Sequence, residues 1–250
     1  MKSPFQCRYH RKFFWNLVAL LFVFAAHAEP TNVLSDAEIH GRMLAQKILA
    51  NRPAENFTNT GILQIRDNGR LTKFPVVCET ILTKSNWLNR YQATCGTNFL
   101  AVTTLTVMHS NTNQYRLSEM VGADRELSGN GTMIPFVGSD FWLGDLGLEF
   151  FHWPEQKVLK KEFHRNCACT VLESTNPNPS SDSYSRVVCW IDNDSLGIVE
   201  AYAYDADGRR LKNFYPKNLE KVNGQYQVGS MVMQNLQTDS SSRLEFNYDP

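Results

Sequence analysis

The chain has 250 residues with 25 Lys and Arg balanced by 25 Asp and Glu, and 42% of its side chains are hydrophobic, enough to bury a sizeable core. Four of those basic residues (Lys2, Arg8, Arg11, Lys12) and no acidic ones lie in the first 28, which leaves 21 basic against 25 acidic residues, a net of −4, in the remainder. A mildly acidic domain of this kind is not a nucleic-acid binder, because phosphate contacts need clustered Lys and Arg.

Residues 1–28 read as a cleaved leader. A basic start precedes the apolar run Phe13–Phe24, and Ala26-His27-Ala28 supplies the small residues that signal peptidase requires. The mature domain is then 29–250, exported to the periplasm and soluble, since the apolar run is too short for a membrane span. Cys7 precedes the run and is no site for lipid attachment.

One amphipathic helix comes first, over Ser35–Leu49. Ser35 is the N-cap and Glu38 stands at capping-box spacing; Ile39, Met43, Ala45 and Ile48-Leu49 make the apolar stripe, and Pro53 ends it. The period then falls to two. Gly61–Arg66 and Leu71–Leu82 form a hairpin about Asp67-Asn68-Gly69, because Asn-Gly accepts the positive φ of a tight turn. Trp87–Cys95, Leu100–Met108 and Tyr115–Met120 continue as strands.

The stretch Phe136–Pro154 breaks the alternation. Large apolar side chains crowd it, its glycines make a poor helix, and it reads as an apolar cover packed over a sheet or a cavity mouth. Beyond it, Lys157–Leu172 and Tyr184–Ile191 pair across a proline-rich loop, and Ile198–Tyr204, Arg209–Tyr215, Gln225–Leu236 and Arg243–Asn247 follow as a meander. The fold class is mainly β: a curved antiparallel sheet or barrel with an N-terminal helix and a mid-chain helical or loop cover.

Asp140–Gln156, Val171–Pro177, Trp190-Ile191-Asp192 and Ala203-Tyr204-Asp205 together resemble the outer-membrane lipoprotein-sorting branch of the LolA/LolB-like superfamily of periplasmic carriers. The resemblance implies a single open β-barrel domain over 29–250 whose concave side holds lipid or lipoprotein acyl chains, with envelope proteins as further partners and a monomeric state. Phe141, Trp142, Leu143, Leu146, Leu148, Phe150, Phe151 and Trp153 are the candidate cavity or lid residues; a plain core plug is the alternative for the same set. The superfamily's lid arginine has no assigned position, with Arg66, Arg70 and Arg90 all open. A secreted lipid-ester hydrolase and a structural barrel that binds an envelope protein are the rival functions.

Five cysteines follow the leader, as suits an oxidising compartment. Cys169 and Cys189, at nearly mirrored positions about the proline-rich loop, are the expected disulfide. No cofactor and no metal site are expected, since His164, Cys167 and Cys169 lack a fourth ligand at suitable spacing. Catalytic signatures are absent, and Asp145, Glu149 and His152 read as charge at the solvent edge of an amphipathic turn. The Arg209-Arg210-Lys212 run reads as a solvated face.

Overall fold

A computed structural model describes residues 34–95, 101–120, 122–222 and 225–248; side-chain placement is not described for 219–226. The expected leader lies outside the described residues, and Leu34–Pro250 clusters as one compact unit. Among the described residues no helix is long and apolar enough to cross a membrane.

Helix α1 spans Asp36–Leu49, and its capping box forms as the sequence predicts: the Glu38 N–H donates to Ser35 Oγ, and the Ser35 N–H donates to the Glu38 carboxylate at 2.7 Å. Its packing face differs from the predicted stripe. Ile39 and Met43 are exposed, whereas Gly41 and Ala45 are buried. Close approach is the reason, because a Cβ at Gly41 would lie 2.5 Å from the Gln156 carbonyl, so the helix rests directly on strand backbone there.

Six strands follow: β1 (Phe57–Asp67), β2 (Arg70–Leu82), β3 (Trp87–Cys95), β4 (Ala101–His109), β5 (Gln114–Ser118) and β6 (Arg125–Leu127). Asn68 and Gly69 take φ values of 48° and 76°, as the Asn-Gly turn requires. The cover then crosses the concave side, carrying a one-turn helix α2 (Leu143–Leu146) and a 3-10 turn at Glu149–His152.

Seven more strands complete the sheet: β7 (Glu155–His164), β8 (Cys167–Thr175), β9 (Arg186–Asp192), β10 (Ile198–Tyr204), β11 (Arg210–Val222), β12 (Gln225–Asn235) and β13 (Ser240–Asn247). All pairings are antiparallel, and β13 returns to β1. The order β6-β5-β4-β3-β2-β1-β13-β12-β11-β10-β9-β8-β7 makes one curved, unclosed sheet with β6 and β7 as its edges. The predicted fold class is therefore the observed one.

One predicted strand is a hairpin instead. Within Lys157–Leu172 the chain reverses at Arg165-Asn166, both at positive φ (47° and 65°), a turn that carries no glycine to announce it. The register of β8 against β9 corrects the expected disulfide. Cys189 lies opposite Leu172 and Cys169 opposite Asp192, so the two thiols are three residues apart in register and, by strand alternation, on opposite faces. Both are free and buried, and burial raises the Cys189 thiol well above its ordinary pKa.

Candidate ligand-binding groove

The cover fills most of the concave side. Phe136, Phe141, Leu143 and Leu146 join Leu63, Val76, Leu105, Val107, Tyr115 and Leu244 in one core cluster. Phe150, Phe151 and Trp153 join Leu172, Tyr184, Cys189, Ile191 and Ala45 in a second. Phe141 and Leu143 are 2% and 0% exposed. These are plug residues in contact with the sheet.

Polar bonds fasten the plug. Lys212, expected in a solvated face, is 1% exposed: its ammonium donates to the Asp140 carbonyl at 2.7 Å and sits 3.6 Å above the Trp142 ring. Tyr184 OH donates to both Asp145 carboxylate oxygens at 3.0 Å and stacks on Trp142 with ring centroids 4.4 Å apart. Burial lowers Lys212 to about 8 and raises Asp145, while their mutual attraction opposes both shifts. The Asp140 carboxylate accepts from Ser242 at 2.7 Å and from Ser240.

Asp145, Glu149 and His152 are thus not solvent-edge charges. Tyr115 OH donates to Glu149 at 2.9 Å, and burial raises the Glu149 carboxyl. His152 Nδ1 lies 3.2 Å from the Asn111 carbonyl, which only accepts, so Nδ1 carries the proton of the neutral ring. The three are held by separate partners and form no acid–base relay among themselves.

The concave side stays open at one end of the strands. There a groove of about 750 Å³ is bounded by the end of α1 (Ile48–Arg52), the β2–β3 turn (Ser85, Asn86, Trp87), the β4–β5 turn (His109, Ser110, Asn111), the cover (Leu148, Phe151, His152), Leu196 and Ile198, and the β11–β12 wall. The volume is in the range of sites that hold small ligands. Its lining is apolar at Leu148, Phe151, Ile198, Phe214, Val228 and Met231, and polar at Arg52, Ser85, Asn86, Ser110 and Asn111. Trp87 stacks on His109 with ring centroids 3.7 Å apart, and burial followed by the nearby His152 lowers His109 to about 4.

Of the eight candidate cavity residues, Leu148 and Phe151 reach this groove, Leu148 and Phe150 line a separate small internal cavity beside Lys212, and Phe141, Trp142, Leu143, Leu146 and Trp153 line neither. Arg66 and Arg70 lie at the β1–β2 turn, away from the groove, and Arg90 pairs with Glu79 at 2.9 Å. The groove arginine is Arg52, which no sequence signal marked. His164 likewise binds Glu200 at 2.6 Å and stacks on Trp190.

A protein-family model described as "Uncharacterized protein" matches residues 90–248, and no curated protein matches the sequence. Among solved structures, a DUF1329 family protein from Desulfovibrio piger has a TM-score of 0.70 at 18% identity, covering 85% of this chain and 92% of its own. A domain named for outer membrane lipoprotein sorting from Vibrio parahaemolyticus has a TM-score of 0.72 at 18% identity, covering 84% and 92%. A LolA superfamily protein from Nitrosomonas europaea has a TM-score of 0.60 at 16% identity, covering 83% and 91%. The chain belongs to the family whose model it matches over residues 90–248, and it has the LolA-like open-barrel fold.

Proposed function

We propose that this protein is a periplasmic carrier that holds an acyl chain of a lipid or lipoprotein in the groove at the open end of its sheet. The observation that carries the reading is the groove itself: about 750 Å³, lined in part by the apolar side chains of Leu148, Phe151, Ile198, Phe214, Val228 and Met231. Each CH₂ moved from water to such a lining gains roughly 0.8 kcal/mol, so a chain of a dozen carbons is held firmly without covalent chemistry. The fold neighbours named for lipoprotein sorting and for the LolA superfamily support the same role, and the leader motif in residues 1–28 supports export.

The binding residues in this reading are Leu148, Phe151, Ile198, Phe214, Val228 and Met231, while the first half of the cover is the floor beneath them. The test is displacement of a fluorescent fatty-acid probe from the purified protein, with lipid mass spectrometry of material isolated from the periplasm. Met231 is partly exposed, so Met231→Asn is expected to cost no more than about 1 kcal/mol of stability. It should weaken probe binding at least severalfold. A wild-type protein that takes up no acyl probe and carries no lipid would refute the carrier reading.

A further inference from the structure

The residues that line the groove include no Asp or Glu and a single arginine, Arg52. Its side chain is exposed, yet oriented: Nη2 donates to the Thr83 carbonyl and, at 3.1 Å, to the Asn86 carbonyl across the β2–β3 turn. Among the described residues none accepts a hydrogen bond from Nε or Nη1. The guanidinium is therefore tied down through one nitrogen with its remaining donors unused, beside the polar side chains of Ser85, Asn86, Ser110 and Asn111. The two groove histidines add no charge near neutral pH, because burial lowers both. The end of α1 borders the same groove, and its carbonyl end is offset by Lys47 in the last turn and by the Ala50 N–H bonded to Gln46 and Ile48.

We infer that the groove selects an amphiphile with a carboxylate head, a free long-chain fatty acid, whose head is held by Arg52 while its chain lies along the apolar lining. This deepens the carrier reading and rests on it. Charge number and shape favour a carboxylate: one guanidinium neutralises one negative charge, and its planar fork matches the two oxygens of a carboxylate. A phosphate monoester near neutral pH carries between one and two negative charges, roughly −1.5 to −2, and would leave part of that uncompensated here.

The experiment is a displacement series against the fluorescent acyl probe with myristate, methyl myristate and myristyl phosphate, which share one chain length and differ in the head. Wild type should prefer myristate to methyl myristate by about tenfold, the usual worth of a hydrogen bond to a charged group. The preference should shrink as salt is raised. Arg52→Gln should bring the two ligands to within about threefold of each other, chiefly by weakening myristate, and Arg52→Lys should keep an intermediate preference because it retains the charge without the fork. Equal binding of myristate and methyl myristate by wild type overturns this inference and leaves the carrier reading standing. Tighter binding of myristyl phosphate than of myristate overturns the assignment of the head. No displacement by any of the three overturns both readings. The wild-type series decides the matter even if Arg52→Gln loses its fold.

Discussion

The concave side of the sheet is treated in opposite ways at its two ends. Over most of its length the cover seals it, with Phe141 and Leu143 in one buried cluster with side chains of β1, β2, β4 and β13. At the mouth, Leu148 and Phe151 line an open groove together with Phe214, Val228 and Met231. Both halves of the cover are comparably apolar, so hydrophobicity alone does not decide between plug and wall. What decides is whether another side chain occupies the opposite side. Small residues draw the plug in: a Cβ at Gly147 would meet the Tyr115 hydroxyl at 2.2 Å, so that glycine lets the cover descend onto β5.

The largest contrast should come from a charge placed in the plug. Leu143 is 0% exposed within the first core cluster, and Leu143→Asp combines a lost apolar side chain with a buried unpaired carboxylate. The expected loss exceeds about 4 kcal/mol, and urea titration should show an unfolded or barely folded chain. A melting transition near wild type would mean that the plug end is as open as the mouth. Trp142 belongs on the same side of the contrast, since it lies beneath Lys212, whereas Phe151 joins the two, lining the groove while only 2% exposed.

Next in size is the buried ion network. Lys212→Met leaves Asp145, whose side chain is 9% exposed, without its cation, and removing one partner of such a pair costs about 3 kcal/mol. Because the penalty is an uncompensated charge, adding Asp145→Asn should recover more than half of it. Chemical denaturation of both single variants and the double variant closes the cycle. Strictly additive losses would show that Lys212 acts by packing on Trp142 and not by charge.

How much of this was legible in the sequence follows the same divide. The helix, its capping box, the Asn68-Gly69 turn and the meander are written locally, in alternation and turn residues, and they form where the sequence places them. The Arg165-Asn166 reversal was hidden because it lies inside an alternating run with no glycine, and the Cys169–Cys189 pairing failed separately, because the length of the 176–185 loop does not reveal a register offset of three residues. Lys212 was misread because a lysine in an Arg-rich run looks solvated, while its burial is set by Asp140 and Asp145 about seventy positions earlier. The apolar cover was visible as a unit. Which of its residues face the groove was not, since that depends on β11 and β12 across the sheet.

A pH profile sharpens the comparison at the mouth. His109 has its pKa lowered from 6.5 to about 4 by burial and the neighbouring His152. The unfolded chain therefore binds more protons than the folded one between those values, and this residue's contribution to stability falls as pH drops from about 6.5 to about 4. Allowing for partial solvent screening, the change is on the order of 2 kcal/mol. His109→Gln should flatten that part of the stability curve relative to wild type, and parallel curves for the two proteins would show that the imidazole stays solvated.

The smallest effect on stability is expected where the mouth holds its backbone in an unusual state. Asn68, Asn166 and Asp239 lie at positive φ, as their side chains tolerate, but Leu148 and Leu196 also do, at 53° and 61°, and both border the groove. A leucine in the left-handed region costs about 1 kcal/mol relative to residues suited to it. Leu196 is only partly buried, so Leu196→Asn relieves the backbone while removing some apolar burial, and the two terms nearly cancel. Stability should change by less than about 0.5 kcal/mol, yet acyl-probe affinity should fall because the apolar rim is shortened. The reverse outcome, a clear loss of stability with unchanged affinity, would make Leu196 a packing residue and draw the boundary of the plug outward to the rim itself.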